Sequence, residues 1–166
     1  MALFEPLFAE LNQSAARYVV VGGLATVLHG FARLTADVDL IVDLEPAEAR
    51  KVIDALVRMG FHARAPVDPI AFCDAAQRRR WIADKGMRVF SMWDPTQPLR
   101  EVDLFVESPI EFELLWNRSE QIVLKTTTVR VAAIDDLILL KQMAGRPQDR
   151  IDVEALEQIR RQRRLP

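Results

Sequence analysis

The stretch Val20-Val21-Gly22-Gly23-Leu24-Ala25, followed after a short loop by Asp37-Val38-Asp39-Leu40, decides the fold. The β-branched run at residues 18–21 predicts a strand that ends at a glycine turn. Good helix formers continue from the turn to Gly30, so a helix is expected directly after it. Residues 37–43 predict a second strand, in which acidic and apolar residues alternate. This order of strand, glycine turn, helix and strand indicates an α/β protein.

Asp37 and Asp39 are the first candidates for a functional site. Side chains two positions apart on a strand project from the same face, so both carboxylates point at one spot while Val38 and Leu40 enter the core. Like charges this close repel each other unless a cation or a proton intervenes. Mg²⁺ or Mn²⁺ would resolve the repulsion, because both ions prefer oxygen ligands. The alternative is that these two are ordinary surface acids at the edge of a strand.

A third carboxylate is expected from residues 100–107, which predict another alternating strand. One of its faces is aliphatic, and the other carries Glu101, Asp103 and Phe105. Asp103 would complete a site for one or two divalent cations. Spacing alone does not distinguish Asp103 from Glu101 on the same face or from Glu107 at the end of the strand.

The segments around these acids offer groups that could hold a phosphate. Gly22 and Gly23 let the chain approach a ligand closely, and amides at the start of a helix attract anions. The alternative is a tight turn without a ligand. Arg33 and Thr35 can reach phosphate oxygens, or they can brace the loop. Lys141, within an apolar helix, either extends to solvent or meets an anion such as a triphosphate.

Further helices and strands are predicted around this centre. Helices are predicted at residues 3–16, 46–59, 110–116, 134–144 and 149–161. Strands are predicted at residues 121–124 and 127–131, and as a hairpin with strands 80–83 and 87–92 around Asp84-Lys85-Gly86. The cluster Arg78-Arg79-Arg80 is expected to be solvated, with contact to RNA phosphates as the alternative. The core, rather than a base-stacking platform, is the expected place of Trp81, Trp93 and Trp116.

The composition limits the class of protein. With 166 residues, the chain fits one domain. Its 22 Lys and Arg against 24 Asp and Glu give a net charge of −2, which leaves only local patches for a nucleic-acid partner. The longest apolar runs are too short to cross a bilayer, so no membrane is expected. A single cysteine, Cys73, and no charged segment ahead of an apolar stretch at the start favour a cytoplasmic protein.

Two parts of the chain resemble a known superfamily. The segments Val20–Ala25, His29-Gly30, Arg33, Thr35 and Asp37–Leu40 follow the order of the GG…DxD signature of polymerase-beta-type nucleotidyltransferases. The chain looks most like the minimal members related to AbiEii/AbiGii toxins. Residues 136–152 are similar to their pattern of a helix with Lys, then Arg and Asp, then a closing helix.

The resemblance implies an α/β (α+β) nucleotidyltransferase fold, in which helices flank a mixed central sheet and a pair of helices closes the chain. A single domain would cover residues 1–166, with its core at about 17–132 and the C-terminal helices at about 133–163. A departure from the family is Gly22-Gly23-Leu24, where many members have Gly-Ser. The change removes a hydroxyl that could contact a phosphate.

The resemblance also implies roles for the candidate residues. The catalytic and metal-binding residues would be Asp37, Asp39 and Asp103, and the nucleotide-binding residues Gly22, Gly23, Arg33, Thr35 and Lys141. The glycine turn would hold the NTP. Asp103 would bind metal and help to activate the attacking hydroxyl.

The expected function is therefore a Mg²⁺- or Mn²⁺-dependent nucleotidyltransferase that moves a nucleoside monophosphate from an NTP to a hydroxyl of RNA, protein or a small molecule. The AbiEii likeness adds the context of a toxin with a cognate antitoxin or partner protein. The alternative is a catalytically inactive module that keeps the fold and binds a nucleotide or a protein partner.

Overall fold

A mixed β-sheet organises the molecule, whose computed structural model describes residues 3–163. The strands within this range are β1 (Tyr18–Val21), β2 (Asp37–Val42), β3 (His62–Ala63), β4 (Val89–Asp94), β5 (Gln97–Phe105), β6 (Glu120–Val123) and β7 (Thr128–Val131). The helices are α1 (Glu5–Gln13), α2 (Gly22–Leu28), α3 (Pro46–Arg58), α4 (Ala75–Lys85), α5 (Phe112–Arg118), α6 (Ile134–Ala144) and α7 (Pro147–Arg163). A 3₁₀-helix spans Pro69–Cys73. No helix in this part of the chain is long and apolar enough to cross a membrane.

The order of the strands places β2 near the middle of the sheet. The order is β3-β4-β5-β2-β1-β7-β6. Strand β2 pairs with β1 antiparallel and with β5 parallel. A parallel pair needs a long crossover, and here α3, the 3₁₀-helix and α4 lie between the two strands in the sequence. In the resulting register Asp39 lies opposite Asp103.

Alternating burial shows which face of the central strands is covered. On β2, Val38 and Leu40 are buried, whereas Asp37 and Asp39 are half-buried. Strands β4 and β5 alternate in the same way, and paired residues on neighbouring strands share a face. The sheet therefore keeps one face of β2, β4 and β5 accessible, and the acidic residues lie on it.

The predicted mixed sheet with flanking helices and a C-terminal helical pair is confirmed. Helices α6 and α7 pack on each other, and α6 also packs on α2, the helix that follows the glycine turn. His29, just after α2, is buried with Nε2 2.8 Å from the carbonyl oxygen of Ala132. The C-terminal helices therefore pack beside the glycine turn at the start of α2.

The predicted hairpin at residues 80–92 is wrong in its first strand. Residues 80–83 belong to α4, which begins after Asp74, whose carboxylate accepts a hydrogen bond from the backbone NH of Ala76. The helix ends at Gly86, which has a left-handed φ of 59°. A glycine of this kind serves a helix end as well as a hairpin turn, so the pattern was ambiguous. The real hairpin joins β4 to β5 at residues 95–96, where Asp94 accepts from the backbone NH of Thr96.

The basic cluster and the tryptophans also differ from expectation. Arg78 is buried instead of solvated, and it donates to the carbonyl oxygens of Phe72 at 2.5 Å and Leu44 at 3.0 Å. Trp81 lies in the core as predicted, stacked on Phe90. The other two tryptophans are only half-buried. The guanidinium of Arg64 lies 4.9 Å from the ring centre of Trp93, and that of Arg130 lies 4.0 Å from Trp116.

Arg78 is expected to stabilise the connection between β2 and β5 through these two carbonyl oxygens. We predict that Arg78→Met lowers the free energy of unfolding by about 2 kcal/mol or more, because both acceptors lose a buried donor. The exposed neighbour Arg79 provides the control, and Arg79→Met should change the free energy by less than about 0.5 kcal/mol. Urea unfolding monitored by circular dichroism measures both. Equal stability of the two variants would contradict the assignment.

Candidate active site

Three carboxylates from two parallel strands converge on the accessible face of the sheet. Asp37 and Asp39 come from β2, and Asp103 comes from β5. Each offers one oxygen, and these oxygens all lie within 4.8 Å of one another. The convergence follows from the register, because Asp39 and Asp103 are directly paired and Asp37 precedes Asp39 by one full strand repeat. The structure thus brings together the three acids that the sequence suggested.

The absence of a side chain at Gly22 makes room for one of these acids. A Cβ at this position would lie 1.9 Å from Oδ2 of Asp39, and the residue has a φ of +64°, which L side chains rarely adopt. The nearby backbone NH of Gly23 lowers the pKa of Asp39, against the larger rise from burial and from the neighbouring acids. The missing side chain at Gly22 therefore makes room for Asp39, and the glycine turn also offers space for a ligand.

Burial and mutual repulsion disfavour charge on the acids. Burial first, and then the charges of Asp37 and Asp103, raise the pKa of Asp39 from 3.8 to about 7. Burial also raises the pKa of Asp103, while a hydrogen bond from Ser91 lowers it and the charges of Glu101 and Asp37 add to the rise. The three carboxylates therefore favour either a proton or a cation between them.

The donor set fits a divalent cation. Among the described residues, Oδ1 of Asp103 is buried and has no hydrogen-bond partner. An orphaned carboxylate oxygen is costly unless something positive satisfies it. Three carboxylate oxygens at this spacing are a ligand set suited to Mg²⁺ or Mn²⁺.

Arg33 and Thr35 lie beside the glycine turn, as the order of the motif suggested. A Cβ on Gly23 would lie 2.6 Å from Nη2 of Arg33 and 2.8 Å from Oγ1 of Thr35. The hydroxyl of Thr35 also donates to Asp37, with Oγ1 3.3 Å from Oδ1. Both residues thus brace the loop, and Arg33 also lines the cleft above the acids.

Lys141 neither extends to solvent nor lies free. It is buried on α6, and its Nζ lies 2.5 Å from Oδ2 of Asp152 and 3.6 Å from Oδ1 of Asp149. Because the side chain is buried, carboxylates from α7 compensate its charge. The side chain still borders a small apolar compartment of about 120 Å³ that Asp39 also lines.

The cleft over the acids has a volume of about 600 Å³ and includes residues that sequence reasoning did not select. Arg88, just before β4, and Arg146, at the start of α7, both line it. Arg146 binds Asp149, and this hydrogen bond, together with the charges of Asp39 and Asp37, raises the pKa of its guanidinium. Correct assignment of the β4–β5 hairpin would have pointed to Arg88, because it places that residue next to the strand of Asp103.

The raised pKa of Asp39 predicts a pH-dependent stability in the absence of divalent cations. The folded state binds the Asp39 proton more tightly than the unfolded state, so this contribution is full below about pH 4 and is lost as the pH rises toward about 7. The free energy of unfolding of the wild type, minus that of Asp39→Asn, should therefore fall across this window. Urea unfolding in EDTA at several pH values measures it, and a difference independent of pH would contradict the raised pKa.

Comparisons with known proteins give the family of the chain and the likeness of its fold. Residues 2–162 match the model of a family described as "Nucleotidyltransferase of unknown function (DUF6036)". No curated protein sequence matches the chain. Among solved structures, the fold is similar to that of the lincomycin-bound lincosamide antibiotic adenylyltransferase LnuA, with a TM-score of 0.61 and 15% identity over 95% of each chain. It is also similar to the antibiotic-resistance factor ANT(2'')-Ia, with a TM-score of 0.58 and 13% identity over 95% of this chain and 80% of the other. The match over nearly its whole length shows that the chain belongs to the DUF6036 family of nucleotidyltransferases.

Proposed function

We propose that the protein transfers a nucleoside monophosphate from an NTP to a hydroxyl group, with a divalent cation at Asp37, Asp39 and Asp103. The observation that carries this proposal is the convergence of the three carboxylates within 4.8 Å at the base of a cleft that also contains arginines. An acid cluster facing basic side chains is suited to a metal–triphosphate complex, in which the ligand brings both signs of charge.

The acids would hold Mg²⁺ or Mn²⁺, of which Mg²⁺ is the expected ion. When bound, such a cation polarises the phosphates and lowers the pKa of an attacking hydroxyl. Asp37 and Asp39 provide oxygens from one strand, and Asp103 provides the free buried oxygen described above. Because the pKa of Asp39 is about 7, the carboxylate must lose its proton before it can bind a metal near neutral pH.

The triphosphate would lie between the glycine turn and the start of α7. Gly22 and Gly23 bring the backbone close to the acids, and Arg33 and Thr35 flank the turn. Many family members have serine where this chain has Gly23. The hydroxyl of Thr35 lies 2.8 Å from where a Cβ on Gly23 would be, so it offers a hydroxyl beside the turn. Lys141 borders the adjoining compartment and adds positive charge from the side of α6.

A small molecule, RNA or protein could provide the acceptor hydroxyl. The two structural neighbours are proteins of antibiotic modification or resistance, and LnuA has a chain that matches this one over 95% of its length. Because LnuA is lincomycin-bound in that structure, the likeness supports a small-molecule acceptor. The second candidate function is that of a toxin. Its acceptor would be RNA or protein, and a cognate antitoxin would be its partner.

The acids provide the direct test of function. Purified protein is incubated with each of the four NTPs, labelled at the α-phosphate, with Mg²⁺ or Mn²⁺ and with total RNA, a protein extract or a panel of small hydroxyl compounds. Transfer with release of pyrophosphate is expected for the wild type. Asp39→Asn and Asp103→Asn should each reduce it by about 100-fold or more, since even the loss of groups that only support metal ligands costs 10–100-fold.

Asp43→Asn is the matched control, because Asp43 follows the same strand but binds Arg17, away from the cleft. This variant should retain transfer. Calorimetry with Mn²⁺ alone provides a second readout, in which both site variants should lose affinity for the ion. Transfer that is unchanged in Asp39→Asn would contradict the proposal, whereas nucleotide binding without any transfer would favour the non-catalytic module.

A further inference from the structure

Asp152 on α7 is a completely buried carboxylate that lies between two cations from distant parts of the sequence. Its Oδ2 accepts from Nζ of Lys141 on α6 at 2.5 Å. Its Oδ1 lies 3.5 Å from Nε of Arg33, in the loop before β2, and accepts from Nε2 of Gln148 at 3.1 Å. The side chain of Asp152 has 0% exposure, so these contacts, and not solvent, compensate its charge in the described chain.

Asp152 does not itself reach the cleft over the acids. It lines neither the cleft nor the small compartment beside it, whereas Arg33 lines the first and Lys141 lines the second. A ligand in either space would therefore meet the two cations and not the carboxylate behind them. Any effect of Asp152 on a ligand has to act through the residues that it contacts, which are Arg33, Lys141 and Gln148, and Gln148 also lines the cleft.

The charges around Asp152 are more positive than a simple buried ion pair requires. One carboxylate compensates one cation, and Lys141 at 2.5 Å already satisfies Asp152. Asp149 is also near Lys141, but its closer contact is with Arg146 at 2.8 Å. The guanidinium of Arg33 thus shares a carboxylate that is already paired, and its positive charge lies beside the cleft that Asp37, Asp39 and Asp103 also line.

The position of Arg33 depends on this contact. Among the described residues its Nε is buried without a hydrogen-bond partner, and Asp152 is its ion-pair partner. Its Nη2 lies 2.6 Å from the place where a Cβ on Gly23 would be. Asp152 therefore contacts the Nε side of the guanidinium, while Nη2 lies against the turn beside the acids.

We infer that Asp152 is a positioning residue for the nucleotide, which holds Arg33 and Lys141 so that both cations face the bound triphosphate. This inference rests on the proposed function and names a residue that has no place in the signature of glycines and acids. It assigns to the C-terminal helical pair a part in nucleotide binding: α6 provides a cation, and α7 provides the carboxylate that fixes it together with Arg33.

The test measures the binding of each NTP with Mg²⁺ by calorimetry, using the full chain. Asp152→Asn should raise the Kd by about tenfold, because the charged carboxylate that holds Lys141 by a hydrogen bond and Arg33 by an ion pair is lost. Asp152→Glu restores the charge and should recover most of the affinity. Asp136→Asn is the matched control, because Asp136 is a buried carboxylate on α6 that binds Arg118 at 2.7 Å. The Asp136→Asn protein should bind the nucleotide as tightly as the wild type.

Two further measurements separate positioning from simple stabilisation of the fold. In a double-mutant cycle, Asp152→Asn should cost much less affinity when Arg33→Gln is already present, since the residue acts through Arg33. In turnover assays, Asp152→Asn should raise the KM for the NTP more than it lowers kcat. A loss of stability alone would produce neither a coupling energy between Asp152 and Arg33 nor a larger effect on KM than on kcat.

Asp152→Asn leaves a buried lysine without its carboxylate, so a second variant keeps the test valid if the first does not fold. Lys141→Met with Asp152→Asn removes both charges together, and Lys141→Met alone is its reference. The double variant should bind the NTP about fivefold more weakly than the reference, because Arg33 loses its partner. Equal affinities in this pair, or wild-type affinity in Asp152→Asn, would overturn the inference. Failure of the wild type to bind any NTP would instead overturn the proposed function.

Discussion

The repulsion among three carboxylates is the constraint on which the rest of the site depends. The parallel pairing of β2 with β5 forces Asp39 and Asp103 side by side, and Asp37 lies one strand repeat away. The sheet provides backbone pairing but no compensating charge, and the result is a raised pKa at Asp39 and an unsatisfied oxygen at Asp103. A fold selected only for stability has no reason to keep such a cluster, because apolar residues at these positions would cost less. The cation proposed above would complete this arrangement.

Positive charge reaches this cluster from outside the sheet. Arg33 lies in the loop before β2, Lys141 on α6, and Arg146 at the start of α7. The C-terminal helices are therefore more than a cover for the hydrophobic core, because they carry both the cations and the carboxylates that hold them. Their contact with α2 brings this layer of charge against the glycine turn. Acids in the sheet and cations in the surrounding loops and helices together form a cleft suited to a metal–triphosphate complex.

Membership of a nucleotidyltransferase family and the geometry of the acids both support the proposed transfer reaction, and the two observations are independent. The family match rests on the sequence of residues 2–162, whereas the convergence of the acids rests on strand pairing. The resemblance to LnuA and ANT(2'')-Ia, at 15% and 13% identity, shows a shared fold. In the proposed reaction, the choice of nucleotide donor and hydroxyl acceptor would depend on residues that line this chain's own cleft, including Arg88 and Phe105. These are side chains that the signature of the superfamily does not include.

The sequence by itself determined the elements that bear the signature. The glycine turn, the two acids of β2 and the strand of Asp103 follow from local patterns, because alternation and turn chemistry act over a few residues. It did not predict the helix that ends at Gly86, since a left-handed glycine ends a helix as readily as it turns a hairpin. Spacing did not distinguish Asp103 from Glu101, and only the family resemblance favoured Asp103. The tertiary structure pairs Glu101 with Arg64, places Asp103 beside Asp39 and shows that Lys141 faces Asp152. Those choices depend on contacts between residues far apart in the chain, and a linear pattern carries no record of which distant charges a buried side chain will meet.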